Sequence, residues 1–464
     1  MNPVLELESP MTRAEWRASV SLAAIYMLRM LGMFLILPVF AVLARDLPDA
    51  TPMLTGFAIS AYGLTQAVFQ IPFGIWSDRY GRKRIITVGL VLFVLGSALA
   101  AMSGSIYGII AGRMLQGAGA VAAVVMALAA DLTREEHRTK AMALIGISIG
   151  LSFALSMVAG PVLSNWFGLK GLFWLITGLA SLSIVVLHTA VPNPEVSRFH
   201  RDAQVRTGAL SRVFRNPELL RLDFGIFCLH LILTATFVVL PLVLKDRLGL
   251  ATADHWHVYL PVFGLAIASM VPFVILAEKK RKMKPVFLAF IAVVALSDAG
   301  FTWLGGGFWG VFGLLYLFFT GFNLLEATLP SMISKIAPPD LKGTAMGVYS
   351  TAQFLGAFAG GVGAGWISGH YGIEAVFMYC TLVGLAWLVV ALSMSAPRHL
   401  STAMVNVAGI SEEQAADLNV RLLAVAGVAE AVVIAEDAVA YLKLDKQTLD
   451  RDALADVFAR LSSP

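Results

Sequence analysis

Long apolar runs of about 20 residues alternate with short polar breaks from Ser19 to Ala396. A helix needs about 20 mostly apolar residues to cross a bilayer, so this pattern predicts a polytopic membrane protein. Twelve spans are expected, at Ser19–Leu43, Met53–Trp76, Ile85–Met102, Ile106–Ala130, Lys140–Leu163, Leu169–Val191, Leu222–Leu244, Trp256–Ala277, Pro285–Leu304, Phe308–Ile336, Thr344–Ile367 and Ala375–Ala396. The longest polar connection, Pro192–Arg221, carries six arginines and divides the spans six and six. The halves resemble each other. Lys140-Ala141-Met142 returns as Thr344-Ala345-Met346, and Gly168 returns as Gly372, both 204 residues later.

After Ala396 the apolar blocks stop and shorter periods take over. Ala403–Ala408 reads as a strand, and Ser411-x-x-Gln414 as a capping box opening an amphipathic helix to about Ala424. Ala429–Ala435 and Ala438–Leu444 read as a hairpin turning at Glu436-Asp437, and Asp450–Leu461 as a second helix. The order β-α-β-β-α predicts a small α+β domain of ferredoxin-like type. The expected fold class is therefore all-α polytopic membrane protein with a small ferredoxin-like C-terminal domain.

Composition agrees with the spans. Hydrophobic residues make up 58% of the 464 and charged residues 14%, against roughly a quarter charged in a soluble domain. The net charge of +4 carries no signature of nucleic-acid binding, because the basic residues sit in short loops between apolar spans. They are spread unevenly. The outer loops hold four, Arg45, Lys170, Lys245 and Arg247, whereas Lys279, Lys280, Arg281, Lys282 and Lys284 cluster in a single inner loop. The positive-inside rule then places both termini in the cytoplasm. The domains expected are an N-terminal six-helix bundle (1–191), a cytoplasmic loop (192–221), a second six-helix bundle (222–396) and a cytoplasmic domain (397–464). Cys228 and Cys380 fall inside spans as small apolar residues and imply no disulfide framework. No small-residue cleavage site follows the first apolar run, which reads as a retained helix.

Between the second and third spans the chain reads Gly74-Ile75-Trp76-Ser77-Asp78-Arg79-Tyr80-Gly81-Arg82-Lys83-Arg84. This is a tight charged hairpin at a membrane surface. Gly74 is expected to let helices approach closely, Gly81 to let the chain turn, and Asp78 to accept from free amides at a helix start. A generic positive-inside anchor needs only the basic residues. The Gly-x-x-x-Asp-Arg-x-Gly-Arg-Lys spacing goes further and resembles the signature of the major facilitator superfamily between its second and third helices. The resemblance implies two six-helix halves around a midplane cavity. It also implies that Asp131, closing span four, pairs with Arg82, and that Asp78 meets the start of span eleven. Gly74, Asp78, Arg79, Gly81, Arg82, Lys83 and Asp131 would then latch the halves on the cytoplasmic side and favour an outward-facing state. Glu278 with the basic cluster after it reads as a degraded copy of this hairpin, and Thr133-x-x-Glu136 as a capping box.

Ionisable side chains near the bilayer centre cost at least a few kcal/mol each, which makes every one a functional candidate. Arg29 stands in the middle of span one; a structural ion pair or snorkelling is its alternative reading. Arg113-Met114-Leu115-Gln116-Gly117 in span four resembles the Arg-x-x-Gln-Gly signature of proton-driven members. That implies a coupling role for Arg113 and Gln116, with Gly117 and Gly119 drawing a neighbouring helix close. Glu326, in Phe322-Asn323-Leu324-Leu325-Glu326, is a carboxylate able to load a proton or attract a cationic substrate; a permanent pair with Arg29 or Arg113 is the alternative. His230 is a candidate for the same relay, or a satisfied core donor. Asn323 and Gln353 read as polar lining or packing, and Asp223 and Asp298 as structural groups within reach of water. Tyr62, Trp174 and Phe237 are candidates to line a cavity. Gly160-Pro161 resembles in part the Gly-Pro signature of antiporters, with Ser156, Ser164 and Asn165 where glycines are expected, and implies an antiporter-like hinge.

Taken whole, twelve spans followed by this tail resemble the YajR-type branch of the superfamily. The resemblance implies proton-driven efflux of small cationic or amphipathic compounds, with the proton gradient as energy source and no cofactor. The partners implied are the substrate, protons and the lipid bilayer of a bacterial inner membrane, with no nucleic acid. The tail's role stays open between docking on the cytoplasmic loops to regulate gating, sensing a small ligand, stabilising the carrier and self-association. The tail lacks the Cys-x-x-Cys of metal-handling domains that share its element order, so no metal is expected. A proton-coupled uptake symporter or uniporter would share the fold, and a non-transporting sensor would use the tail as output. No phosphate loop, Ser-His-Asp arrangement or metal-ligand spacing speaks for an enzyme.

Overall fold

The computed structural model describes residues 10–193, 208, 210–303, 307–338, 341–396, 400–407, 410–436, 438–445 and 447–459. Helix α1 (Arg13–Phe34) opens on a capping box: Thr12 Oγ1 accepts from the Glu15 amide at 3.2 Å, and Glu15 accepts from the Thr12 amide at 2.8 Å. The first span was expected to run on to Leu43. Instead the helix stops at Phe34, turns through residues 35–39 and resumes briefly over Phe40–Leu43. Pro38 accounts for the break, since it has no amide hydrogen and its ring opposes the carbonyl of the preceding turn. Helix α2 (Pro52–Tyr80) begins with Thr51 as cap and Pro52 in first position. It ends at Gly81, whose φ of 95° turns the chain directly into α3 (Arg82–Met102).

The expected fourth span is two helices, α4 (Ile106–Ala118) and α5 (Ala122–Asp131). Helix α6 (Glu135–Thr189) covers two expected spans and bends at Gly168 (φ 62°, ψ −172°). Then come α7 (Pro217–Leu242), α8 (Trp256–Lys279), α9 (Met283–Trp303), α10 (Phe308–Ile336), α11 (Lys342–Tyr371) and α12 (Ile373–Leu392). Gly372, with φ 89° and ψ 176°, parts α11 from α12 as Gly168 parts the two segments of α6. The sequence repeat thus marks two matching left-handed breaks.

Among the described residues, nine helical stretches are long and apolar enough to cross a membrane. Helices α2 and α11 are not among them. Thr55, Ser60, Gln66 and Gln70 are buried on α2, and Thr344 and eight glycines lower the hydropathy of α11. These two helices do not need an apolar circumference, because they press on each other. A Cβ added at Gly56 would lie 2.1 Å from the carbonyl oxygen of Gly361. Phe153 of α6 meets Phe237, Phe263, Phe319 and Phe322 across the same boundary, at centroid distances of 5.3–6.3 Å.

The tail forms strand β1 (Ser401–Asn406), helix α13 (Glu412–Leu423), strands β2 (Val428–Ile434) and β3 (Val439–Leu444), and helix α14 (Arg451–Ala459). The sheet order is β1-β3-β2 and every pairing is antiparallel. The Ser411/Gln414 capping box is present, and Leu418, Leu422, Ala440, Leu442 and Phe458 form the core. The first strand starts two residues earlier than expected. Asp437 of the expected turn lies outside the described residues, as do residues 460–464 at the end of the expected last helix. Among the described residues, Lys443 and Asp445 bond the tail to the long helices. Lys443 Nζ, on a side chain only 2% exposed, donates to the carbonyls of Lys335 at 2.9 Å and Ile336 at 3.5 Å, closing the C-terminus of α10. Asp445 accepts from Arg281 at 2.9 Å.

Candidate functional site

The centre of the first half is built from two arginines held in different ways. Arg113 projects from α4 and has an acceptor at each nitrogen: Ala58 O (3.3 Å), Ile59 O (3.0 Å) and Gln116 Oε1 (2.9 Å). Gln116 then donates to Ser97 Oγ at 2.7 Å, tying α4 to α3. The two glycines after it do what the signature implied. A Cβ at Gly117 would lie 2.1 Å from Tyr62 O, and one at Gly119 would lie 2.2 Å from Gly89 O, so any side chain there would push α2 or α3 away. Arg29 projects from α1 and is buried. Its Nη2 donates to Tyr62 Oη (2.5 Å), Gln66 Oε1 (2.7 Å) and Gly119 O (3.2 Å). That last carbonyl belongs to the break between α4 and α5. Irregular backbone at membrane depth needs partners inside the protein; this carbonyl accepts from the Val121 amide at 2.9 Å, and Arg29 adds a second donor. Gln66 passes the line on to Gln70 at 3.1 Å.

The centre of the second half is acidic. Glu326 on α10 accepts from Gln353 Nε2 at 3.3 Å. The same amide nitrogen lies 2.8 Å from His230 Nε2, and His230 Nδ1 lies 3.8 Å from the other carboxylate oxygen. Donation by the amide leaves Nε2 bare and puts the proton of a neutral imidazole on Nδ1, the nitrogen nearer Glu326. Helices α7, α10 and α11 thus bring His230, Glu326 and Gln353 into one cluster. Neither Arg29 nor Arg113 bonds to Glu326, so the permanent ion pair held open by the sequence is not what the structure contains. Asn323, one turn before Glu326, has a buried amide nitrogen with no partner. Asp223 and Asp298 do not reach water as expected. Both are buried, at 6% and 0% exposure, and their carboxylate oxygens have no hydrogen-bond partner. The packed interior extends to these levels of α7 and α9.

At the signature hairpin, Arg82 is the hub. Its Nε donates to Asp131 at 3.1 Å, its Nη1 to Ser77 Oγ at 2.6 Å and also to Asp78. The side chains of Arg82 and Asp131 are 2% and 0% exposed. Lys83 donates to Val191 O at 2.6 Å, fastening α3 to the end of α6. Arg79 instead lies over the Tyr80 ring at 5.5 Å. Among the described residues, nothing lies within 4 Å of a Cβ added at Gly74. These bonds tie α2, α3 and α5 together within the first half; residues 339–340, before α11, lie outside the described residues. The degraded copy is also an ion-pair site: Glu278 meets Lys335 at 2.6 Å and accepts from Ser331 at 2.8 Å. At the opposite end of the bundle, Arg45 makes a two-pronged bond to Asp246 across the halves, at 2.8 and 3.1 Å.

Several expectations are displaced. Pro161 runs inside α6, and the non-helical residue of that helix is Gly168, seven positions later. Gly160 serves instead for close approach, since a Cβ there would lie 2.5 Å from Leu35 O, beside the break in α1. Thr133 does not cap α6, because its hydroxyl donates to Ala129 O at 2.7 Å. Glu15 takes the Arg134 amide at 2.9 Å, and the guanidinium at 3.0 and 3.1 Å. Trp174 is 51% exposed, while Phe237 is sealed in the aromatic cluster. Sequence reasoning missed the ladder Tyr62, Gln66, Gln70. Its four-residue spacing, one face of a helix, was the available signal.

Residues 22–361 match the family model described as Major Facilitator Superfamily. The chain is 47% identical over 442 residues to the inner membrane transport protein YajR of Escherichia coli, covering 95% of this chain and 97% of that one. It is 24% identical to the quinolone resistance protein NorA of Staphylococcus aureus, over 78% of this chain and 92% of that one. Among solved structures, a bacterial homolog of the human lysosomal transporter Spinster, in an inward-facing and occupied conformation, superposes with a TM-score of 0.71. It shares 11% identity, and the match covers 82% of this chain and 97% of that one. Signature hairpin, glycine-sealed helices and full-length relatives converge: this chain is a multi-pass membrane transporter, not an enzyme, and belongs to the Major Facilitator Superfamily.

Proposed function

We propose that the protein is a proton-driven efflux carrier of a bacterial inner membrane, exchanging entering protons for small amphipathic compounds by alternating access. The observation that carries this reading is Glu326. It is a half-buried carboxylate in the middle of α10 whose partners are a neutral amide and a histidine, not a fixed cation. Such a group can take up and give back a proton without first breaking a salt bridge. A proton moving down 100 mV releases about 2.3 kcal/mol, enough for roughly fifty-fold accumulation of a neutral substrate. The name of one relative, a quinolone resistance protein, supports outward movement of drug-like compounds.

Twelve spans follow if α6 is counted as two at Gly168 and the polar-faced α2 and α11 are added to the other helices. Gly168 and Gly372 then punctuate two equivalent six-helix halves, 1–191 and 222–396, with both termini cytoplasmic. Gating uses two ends. The Arg82–Asp131–Asp78 cluster braces the cytoplasmic side, where Asp78 engages the start of α11 in the outward-facing state. Arg45–Asp246 closes the outer side. The tail has the antiparallel order β1-β3-β2 of a ferredoxin-like domain and docks on α10 through Lys443. Cells loaded with a fluorescent amphipath and then energised should export it faster than vector controls, and a protonophore should abolish the difference. Export that survives the protonophore would refute proton drive, and accelerated uptake would refute the direction.

A further inference from the structure

Arg29 is 1% exposed, yet among the described residues only its Nη2 is engaged; Nε and Nη1 are buried with no acceptor there. A guanidinium carries five N–H donors, and a buried charge is costly unless it is paired and hydrogen-bonded. Arg113 shows the satisfied alternative in the same bundle, with an acceptor at every nitrogen. The rings of Phe93 and Tyr62, at 5.7 and 5.8 Å, cover the flat faces of Arg29 and not the edges from which its hydrogens point. A role confined to holding the Gly119 carbonyl would use one donor and leave the others stranded. Arg29 also stands close to the meeting of the halves, because Tyr62, which holds its Nη2, packs on Phe354 of α11 at 6.2 Å. In a carrier, that boundary is where substrate passes.

We infer that Arg29 is an anion-binding residue of the transport path, and that the substrate carries a carboxylate or comparable oxyanion on an apolar body. The anion is the acceptor that Nε and Nη1 lack. The apolar body suits the rings beside Arg29, where Phe93 and Phe354 pack on Tyr62. This rests on the transporter reading above, and it replaces the cationic substrate that Glu326 alone suggested. Glu326 is then kept for protons.

The test is a binding measurement on the purified full chain in phosphatidylcholine nanodiscs, where no anionic lipid headgroup competes. Three probes share one apolar body: 2-naphthoate, its neutral amide, and the naphthylmethylammonium cation. The wild type should bind naphthoate at least tenfold tighter than the amide, the scale of one charge-assisted hydrogen bond. Arg29→Gln should erase that preference. Arg29→Lys should retain part of it. Tyr62→Phe, which loosens the clamp but keeps the charge, should preserve the preference and serves as the decisive variant if Arg29→Gln does not fold. Four outcomes overturn the inference: a wild type that prefers the ammonium probe, one that binds none of the three, an Arg29→Gln protein that still prefers naphthoate, or loss of the preference in a folded Tyr62→Phe protein. The measurement involves no proton gradient and no direction, so its failure leaves the efflux reading to its own assay.

Discussion

Replacing Asp131 by asparagine removes the carboxylate from a pair whose side chains are 0% and 2% exposed and whose bond is 3.1 Å. The asparagine is nearly isosteric, so the change is electrostatic and opens no cavity. Breaking a buried pair by removing one partner costs about 3–5 kcal/mol, because the remaining charge is stranded. Arg82 keeps its bonds to Ser77 and Asp78, which sets the expectation at the lower end, about 3 kcal/mol. Asp246→Asn is the control. It breaks the Arg45 pair, whose side chains are 46% and 41% exposed, and exposed pairs contribute about 0.2–1 kcal/mol. Thermal unfolding of the two purified variants beside the wild type should therefore show a loss several times larger for Asp131→Asn. The double variant Arg82→Met/Asp131→Leu should recover most of it, since apolar groups of similar volume often replace a buried pair without net cost. Equal losses for the two single variants, or a double variant as unstable as Asp131→Asn, would refute the reasoning.

Asp78 is one-third exposed, so Asp78→Asn should lower the unfolding temperature less than Asp131→Asn while still reducing transport; unchanged transport removes the latch. Gly361→Val places a side chain against Gly56 O and Ser60, with a Cβ 2.4–2.6 Å from both, and should prevent α2 and α11 from closing. Loss of a disulfide between cysteines introduced at Arg45 and Asp246 reports it, and undiminished cross-linking contradicts it. Lys443→Met removes the cation from the end of α10 and should raise deuterium uptake across residues 331–336 and speed proteolysis before β1. Unaltered exchange there would show that the tail does not hold α10.

How much was legible beforehand depended on whether the signal was local. The apolar blocks, the Gly81 turn and the Ser411/Gln414 cap are encoded within a few residues and appear in the structure where the sequence put them. The 204-residue repeat paired Gly168 with Gly372, and in the structure both are positive-φ breaks between helical segments. Long-range partners were not legible. Pro38 broke α1 inside an apolar run, and nothing near Glu15 announced that it would hold Arg134. The Gly119 break was masked by uniform hydrophobicity on both sides, although its function depends on Arg29, 90 residues earlier. Gly160-Pro161 was read as an antiporter-like hinge from a partial motif; Pro161 is helical here, and the non-helical residue of α6 is Gly168, whose φ is 62°. Asp223 and Asp298 were placed by distance from span ends, a measure blind to which way a helix face points.

The measurement that tests the central claim most directly is proton release in everted membrane vesicles. Respiration acidifies the interior and quenches a pH-sensitive dye, and a transported compound lets protons back out through the carrier. Compounds from an anionic and amphipathic panel should restore fluorescence in wild-type vesicles, beyond any recovery in empty-vector vesicles. Glu326→Gln vesicles should show no restoration with the same compounds, at equal protein level. Restoration of equal size in the Glu326→Gln vesicles would contradict the assignment of the proton site. A panel that restores fluorescence in no vesicle containing the wild type would contradict proton-driven exchange.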